Sequence, residues 1–294
     1  MDLVSAINKR HSVRHYDEKP VPRHIVRQVV DAGKNAVPLR PEIDVRWRVA
    51  WDGSKVTQGL EGQMGTYGVF ATVPHYVIAI SRERSGYMEN IGFCMEQLIL
   101  AATHLGLGTC WIGGMFSESQ MGEFVPDLAQ DERIVAITPL GYPSTSTTAT
   151  MAQQLLYWSD DRLGDRKPVS EIASQHIWTV PWTGDDKALD EILEQTRLAP
   201  SWDNTQPWHF VVDDRWVIAT VVHTPQRGNV RENRPYYRLD GGIAMCHFYL
   251  AAQTHRWMGY WLIPEEAEIK MLRDRYAIPL AYDVLGIFPI AAHR

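Results

Sequence analysis

The sequence has few cysteines, no long apolar run and no concentration of positive charge. Its three cysteines, Cys94, Cys110 and Cys246, lack the C-x-x-C spacing of a metal or redox pair. Isolated cysteines in odd number favour buried thiols in a reducing compartment, so a cytoplasmic location is expected. No stretch of 18 apolar residues is present, and residues 1–4 lack the pattern of a signal peptide. We therefore expect no membrane anchor.

Several classes of chemistry lack their sequence signatures. The net charge is −6 and no long basic run exists, so nucleic-acid binding is not expected. The chain has no G-x-S-x-G, H-E-x-x-H or P-loop pattern, which argues against a catalytic serine, a zinc site or a Walker-type phosphate site. His247 and His255 lie in an apolar segment and are interpreted as buried structural histidines. No metal site and no catalytic side chain are predicted.

Residues 106–114 contain closely spaced glycines, but they do not predict a dinucleotide-binding Rossmann unit. The third glycine of G-x-G-x-x-G is replaced by Trp111. The predicted order is also helix, glycine turn and strand, whereas a Rossmann unit needs a strand before the turn. We interpret these glycines as a helix end, with Gly113 and Gly114 allowing backbone N–H groups to approach a ligand.

Among the features that are present, residues 9–14 are the most informative. Arg10 and Arg14 flank His11 and Ser12, directly after a short amphipathic run. Two guanidinium groups and a hydroxyl at the boundary of an element have the donor set that binds phosphate. A solvated helix end carrying positive charge is the alternative interpretation of these six residues.

Apolar periodicity predicts helices and strands along the whole chain. Helices are expected at 24–36, 90–105, 188–198 and 240–257, and strands at 46–51, 75–80, 134–138, 209–212, 217–222 and 284–288. Residues 59–68 and 144–150 are expected to form loops. The helices at 90–105 and 240–257 are apolar nearly all round, which is typical of a helix in an interior or an interface.

The second half of the chain repeats features of the first half. Six residues around the first apolar helix recur 150 positions later: Gly92, Met95, Leu100, Ala101, Ala102 and Trp111 match Gly242, Met245, Leu250, Ala251, Ala252 and Trp261. Leu140 and Gly141 are matched by Leu285 and Gly286 at a slightly different offset. Because the order of elements also agrees, we predict a duplication, with two copies packed as a pseudo-two-fold pair.

These motifs together resemble the FMN-dependent nitroreductase family. The resemblance rests on the opening A-I-N-K-R-H-S-V-R, on residues 98–114 with the later L-G-Y-P, and on the loop A-P-S-W-D-N-T-Q-P-W at 199–208. It covers nearly the whole chain as two family copies in tandem. It implies an α+β fold in which each copy is a mixed sheet flanked by helices, with copies at 1–170 and 171–294 joined by the two apolar helices.

The resemblance also implies roles for particular residues. Arg10 and Ser12 would hold the FMN phosphate. Arg162 and Arg166 would be further donors, with a solvated charge run as the alternative, and His11 would flank the phosphate or ribityl chain, with a surface histidine as the alternative. Arg14 would lie near the pyrimidine edge of the flavin, where a cation stabilises the reduced form. The backbone at Ile112, Gly113 and Gly114 would reach flavin N5. The ring would be bordered from the second copy by Pro200, Ser201, Trp202, Asn204 and Gln206.

The two copies have lost complementary parts of this site. Residues 37–42 replace the ring-side loop in the first copy, and residues 178–184 replace the phosphate cluster in the second. We therefore expect one composite FMN site per chain, and a monomer in solution because each copy already has its partner.

The expected function is an NADH- or NADPH-dependent reduction of nitroaromatics, quinones or another flat acceptor. The main alternative is an FMN-binding protein without NAD(P)H turnover, such as a flavin carrier or an idle pseudo-dimer. A protein without any flavin, acting only in structure or interaction, is the third class.

Overall fold

The structure is a computed structural model that describes residues 2–60, 70, 72–114, 116, 118–146, 165–184, 186–223 and 234–290. In the first half these residues form helices α1 (Leu3–Ile7), α2 (Arg23–Lys34), α3 (Gly53–Leu60), α4 (Tyr87–His104) and α5 (Glu118–Met121). The strands of this half are β1 (Val45–Ala50), β2 (His75–Arg82), β3 (Ile112–Gly113) and β4 (Glu132–Leu140). A short 3-10 helix, Gly122–Phe124, follows α5.

The second half has the same mixture of elements. Its helices are α6 (Val169–Ile172), α7 (Lys187–Thr196), α8 (Tyr236–Thr254) and α9 (Glu266–Tyr276), and its strands are β5 (Ala173–Gln175), β6 (Trp208–Val212), β7 (Trp216–Val222) and β8 (Tyr282–Pro289). Asp186 caps the start of α7 by accepting hydrogen bonds from the N–H groups of Ala188 and Leu189. A one-turn 3-10 helix, Trp202–Asn204, lies between α7 and β6.

Each half carries one four-stranded sheet. The first has the order β1-β2-β4-β3 with antiparallel pairs, and the second has the order β5-β6-β7-β8, in which the β5–β6 pair is parallel. Ile112 pairs with Ile137 in the first half, and Leu262 pairs with Ile287, 150 positions later, in the second. The α+β fold, with sheets flanked by helices, is therefore confirmed.

The two halves meet where α4 crosses α8. Both helices are buried along most of their length, as their apolar composition predicts. A Cβ atom added at Gly92 would lie 2.2 Å from the carbonyl oxygen of Leu239, and one added at Gly242 would lie 2.1 Å from that of Glu89. These contacts are reciprocal, because Leu239 and Gly242 stand 150 positions after Glu89 and Gly92. Two glycines 150 positions apart thus allow close contact between α4 and α8.

One hydrophobic core runs through both halves. It includes Val26 and Trp47 from the first half and Trp208 and Phe248 from the second. Two smaller clusters fill the outer side of each sheet, around Ile78 and around Tyr276. The predicted division at 170/171 therefore does not separate two independent cores, and duplication remains our proposal for the origin of this arrangement.

The structure differs from the sequence predictions in several details, and the short elements α3, α5, α6 and β5 were not predicted. Gly59 and Leu60 belong to α3 rather than to a loop, and residues 61–69 lie outside the described residues. Helix α9 is additional: only Leu272 and Tyr276 are buried in it, so it lacks a clear apolar periodicity. Ile287 pairs with Leu262 as Ile137 pairs with Ile112, so Ile287 corresponds to Ile137 and Leu285 corresponds to Val135. The match of Leu285 to Leu140 was therefore wrong. None of the helices in the described residues is both long and apolar enough to span a membrane.

Candidate functional site

The opening motif lies beside the glycine-containing turn that follows α4. Ser12 forms a parallel bridge with Thr109, and the N–H of Val13 donates to the Thr109 carbonyl at 2.8 Å. A Cβ atom on Gly108 would lie 2.8 Å from the Val13 side chain, so glycine is needed for this contact. Two segments that are about 95 residues apart in sequence are thus brought together, as the resemblance implies.

Arg10 and Arg14 are both buried and incompletely paired. The Arg10 side chain is 6% exposed and Arg14 is 6% exposed as a whole residue. The Nε atom of each has no hydrogen-bond acceptor among the described residues. A buried guanidinium group with an unmet donor is costly, and an acceptor group of a ligand at each arginine would offset that cost. The two arginines therefore fit a ligand that carries an anionic group.

The neighbours of these arginines differ in exposure. Ser12 is half-buried between them, whereas His11 is exposed. The Nδ1 atom of His11 lies 3.1 Å from the Lys9 carbonyl oxygen, to which it donates. The histidine thus lies at the edge of the cluster rather than inside it.

Gly113 and Gly114 lie under two aromatic rings of the second half. A Cβ atom at Gly113 would lie 2.7 Å from Cε1 of Tyr236. Gly114 has φ +65°, and its Cβ would lie 2.9 Å from Tyr236 and 3.3 Å from Trp202. The Tyr236 and Trp202 ring centroids are 5.5 Å apart. Ile112 is buried in the core of the first sheet. Gly113 and Gly114 of the first half thus meet Trp202 of the second half. Tyr236 lies at the same contact but was not predicted.

A buried carboxyl group holds the ring-side loop at 199–206. Both carboxyl oxygens of Asp240, on α8, accept from the N–H of Trp202, at 3.2 and 3.1 Å. Burial raises the pKa of Asp240 well above its ordinary value, although the hydrogen bond from Trp202 opposes this rise. Asp240 therefore fixes Trp202 over the glycine pair.

The loop itself is tightly turned and internally bonded. Asp203, Asn204 and Gln206 have φ values of +53°, +51° and +47°, which non-glycine residues adopt with strain. The Ser201 hydroxyl accepts from the N–H of Gln206 at 2.9 Å, and Pro200 is buried. The loop is therefore a preformed shape rather than an open chain.

Residues 165–167 of the first half hold this loop from its outer side. Arg166 donates to the Asn204 side chain, and Asn204 Nδ2 donates to the Asp165 carbonyl at 2.6 Å. The Nζ atom of Lys167 donates to the carbonyls of Thr205 and Gln206 at 3.1 and 3.0 Å, and burial lowers its pKa. Asn204 and Gln206 thus contact the segment 165–167, and Arg166 in that segment contacts Asn204. Arg162, predicted as a phosphate donor, lies outside the described residues.

The corresponding place in the other half is closed. Asn90, 150 positions before Asp240, accepts from the N–H of Arg40 at 2.8 Å, so the loop at 37–42 is held in the same manner as the loop at 199–206. The hydroxyl of Tyr260 donates to the Pro38 carbonyl, and Leu39 is 2% exposed. The segment at 37–42 is therefore packed into the protein.

Arg234, Tyr236 and Asp240 are contacts of the site that sequence reasoning missed. Arg234 is 8% exposed and reaches from the second half to the Ile134 carbonyl at 2.8 Å and to Glu118 at 2.9 Å. Charged and polar residues at the start of the apolar segment 236–254 were the available signal, because such residues are rarely buried without a partner.

The fold and the arginine pair together define a class of protein. It has two packed α+β halves and two buried, incompletely paired arginines near their junction. A structure described as a "putative nitroreductase" from Thermotoga maritima superposes with a TM-score of 0.57 and 21% identity, over 90% of this chain and 91% of that one. The family model described as "Putative TM nitroreductase" matches residues 2–252. The chain belongs to this nitroreductase family.

Two further relatives match part of the chain. A protein of Methanothermobacter thermautotrophicus, described as a "Putative NADH dehydrogenase/NAD(P)H nitroreductase", is 24% identical over 155 residues, which are 49% of this chain and 78% of that protein. A nitroreductase from Bacteroides fragilis, solved with bound FMN, superposes with a TM-score of 0.42 and 18% identity, over 50% of this chain and 91% of that one.

Proposed function

We propose that the chain is an FMN-dependent oxidoreductase that takes electrons from NADH or NADPH and reduces a flat acceptor such as a nitroaromatic compound or a quinone. The observation that carries the proposal is the pair of buried arginines, Arg10 and Arg14, whose Nε donors lack acceptors among the described residues. They flank Ser12 in the motif that resembles the family's phosphate-binding segment.

In this proposal the first half holds most of the FMN. Arg10 and Ser12 bind the phosphate, and His11 borders it from the exposed side. Arg14 lies toward the pyrimidine edge, where its charge favours the reduced flavin. The backbone N–H groups at Gly113 and Gly114 donate to the ring. FMN itself supplies the hydride chemistry, so no side chain of this chain has to act as a nucleophile.

The second half completes the proposed site from the other side. Pro200, Ser201 and Trp202 border the ring, and Tyr236 packs beside Trp202 against the glycine pair. Asn204 and Gln206 give this loop its shape through their bonds to residues 165–167. Arg166 acts through Asn204, and Arg162 remains a further candidate for the phosphate. The closed loop at 37–42 supports one site per chain.

The test begins with colour and stoichiometry. The purified protein is expected to be yellow, with one FMN released per chain on denaturation. Arg10→Ala is expected to weaken FMN binding by about 10- to 100-fold, because a charge-assisted hydrogen bond contributes roughly 1.5–3 kcal/mol. Arg40→Ala, in the closed loop at 37–42, is the matched control and is expected to leave affinity unchanged. Normal binding by Arg10→Ala would contradict the assignment, and two FMN per chain would contradict the single site.

A second candidate function is FMN binding without NAD(P)H turnover. One observation favours it: the rings of Trp202 and Tyr236 lie against the Gly113–Gly114 backbone. In this second candidate these rings would restrict the approach of a nicotinamide. Anaerobic addition of NADH or NADPH separates the two functions. Bleaching of the flavin bands supports the oxidoreductase, whereas a stable oxidised spectrum supports the second candidate. Protein without flavin affinity would exclude both.

A further inference from the structure

A buried hydrogen-bonded network lies directly behind Arg10, at the contact of the two halves. Its centre is Glu96 on α4, whose side chain is 0% exposed. Glu96 Oε1 lies 2.9 Å from Nε2 of His247 on α8, and Glu96 Oε2 accepts from Trp111 Nε1 at 2.8 Å. His247 is also 0% exposed. Each oxygen of this carboxyl group therefore has a hydrogen-bond partner.

The hydrogen-bond partners of His247 indicate which of its ring nitrogens carry protons. Its Nδ1 atom lies 3.1 Å from the Gln195 carbonyl, which can only accept, so Nδ1 carries a proton. Nε2 faces Glu96, so one further proton is shared between the imidazole and the carboxyl group. Gln195 in turn accepts from Asn8 through its side chain at 3.1 Å. The network thus joins the opening motif, the strand after α4 and the helix before the ring-side loop.

Arg10 stands close to this carboxyl group without bonding to it. Its Nε atom lies 3.9 Å from Glu96 Oε1 and has no acceptor among the described residues. A guanidinium group and a carboxylate in a buried place attract each other strongly, and they ordinarily close to hydrogen-bond distance. Here His247 and Trp111 hold Glu96 on its other sides, which explains why the pair stays open.

The set of residues that matches this network at an offset of 150 lacks the buried carboxyl group. At the matching positions, 150 residues apart, Cys246 stands for Glu96 and Gln97 for His247. Gln97 bonds to the backbone of Val37 at 3.0 and 2.9 Å. The indole of Trp261, which matches Trp111, donates to the Met245 carbonyl at 3.0 Å. A carboxyl group is buried at this place only in the half that carries the arginine motif.

We propose that His247 is a positioning residue that, together with Trp111, restrains Glu96 so that Arg10 is oriented but stays available to an anion. This inference rests on the proposed function, because the anion is taken to be the phosphate of FMN. It makes the affinity of the first half depend on a residue of the second half that lies behind the arginine.

The test releases Glu96 and then removes its charge. His247→Leu is expected to weaken FMN binding by about tenfold, because Glu96 then closes on Arg10 and competes with the phosphate. Adding Glu96→Gln in that background is expected to restore most of the affinity. Glu96→Gln alone keeps its hydrogen bonds, since the amide can donate to His247 and accept from Trp111, and is expected to stay within about threefold of the wild type. Trp111→Phe frees the other oxygen and provides a second, milder release.

Gln97→Leu is the matched control. It removes a buried polar side chain at the position that matches His247, on α4 next to Glu96, and is expected to lower stability without changing FMN affinity. If His247→Leu acts only by loosening the fold, Gln97→Leu will weaken FMN binding to a similar degree and Glu96→Gln will not rescue His247→Leu. Either result would overturn the proposal.

A readout without flavin separates this inference from the proposed function. In protein labelled with ¹⁵N-arginine, the Nε–H signal of Arg10, assigned through Arg10→Lys, is expected to move downfield in His247→Leu and to return when Glu96→Gln is added. If the wild type binds no FMN but the signal behaves in this way, the restraint of Arg10 stands and the flavin function falls. An unchanged signal together with unchanged FMN affinity would refute the restraint itself.

Discussion

Arg14 is a cation that the folded chain buries without providing an acceptor for its Nε atom in the described residues. Such a group reduces stability unless a ligand pairs with it, because its desolvation is not compensated. A residue kept at a cost to the fold is typical of a binding site, where stability and function oppose each other.

Arg14→Met is therefore expected to raise the stability of the ligand-free protein and to weaken its binding of FMN. Methionine keeps most of the length of the side chain but removes the unmet charge, and the gain is expected to be about 1–3 kcal/mol. Urea unfolding and FMN titration measure the two effects. Arg48→Met, at an exposed arginine paired with Asp127, is the control and is expected to change stability by less than about 1 kcal/mol. Loss of stability in Arg14→Met would show that the guanidinium group has partners of its own.

Asp240 is a second buried ionisable group, and its role in the fold can be tested by pH. Because burial raises its pKa in the folded state, the folded protein binds a proton that the unfolded chain releases above pH 4. Its contribution to stability is therefore lost as the pH rises from about 4 through the raised pKa. Asp240→Asn introduces the residue found at position 90 and keeps an acceptor for the N–H of Trp202. Because asparagine does not titrate, this substitution removes the loss of stability with rising pH.

We expect Asp240→Asn to be more stable than the wild type at pH 8 by at least about 1.4 kcal/mol, which corresponds to one pKa unit. The difference is expected to shrink toward pH 4, as measured by urea unfolding across this range. Asn90→Asp is the reverse control and is expected to lose stability with rising pH. A difference for Asp240→Asn that does not depend on pH would mean that Asp240 is ionised in the folded protein.

At the scale of elements, the long segments could be predicted and the ring-side loop could not. Apolar periodicity locates α4, α8 and the central strands, because their burial repeats along the chain. The loop at 199–206 depends on three positive φ values and on bonds to residues 165–167, which are distant in sequence. The contact of Tyr236 with Gly113 and Gly114 arises only where the two halves meet, and Asp240 contacts Trp202, which is 38 positions away in the sequence. Motif spacing could therefore name part of the site but not these contacts.

Asn204 tests how much of this loop depends on one side chain. Asn204→Ala removes its bonds to Arg166 and Asp165 and leaves a Cβ atom at φ +51°, whereas Asn204→Gly removes the same bonds without that strain. We expect both variants to increase amide exchange in 199–206 and to weaken FMN binding equally. Asn204→Ala is expected to be less stable than Asn204→Gly by about 0.5–1 kcal/mol. Equal stability would argue that the backbone there is unstrained.

At the scale of the whole molecule, the apolar faces of the two long helices are covered within one chain. Helices α4 and α8 bury their apolar surfaces against each other within one chain. We therefore expect a monomer of 33.5 kDa in light scattering, with the same mass at low and high concentration. A dimer that persists on dilution would contradict this expectation.

The reciprocal glycine contacts give the sharpest test of the pseudo-two-fold arrangement. Gly92→Ala and Gly242→Ala would each place a Cβ atom within 2.2 Å of a backbone carbonyl oxygen of the opposite helix, so α4 and α8 must separate. Because the two contacts are equivalent, the losses of stability are expected to agree within about 1 kcal/mol, each being at least about 2 kcal/mol. Gly122→Ala, in the 3-10 helix after α5, where an added Cβ would meet no neighbouring atom of the described residues within 4 Å, is the control and is expected to be neutral or slightly stabilising. Urea unfolding of the three variants measures this, and FMN affinity should fall in both crossing variants, because the proposed site is assembled from both halves. A severe loss in one crossing variant and none in the other would show that the halves are not equivalent at their contact.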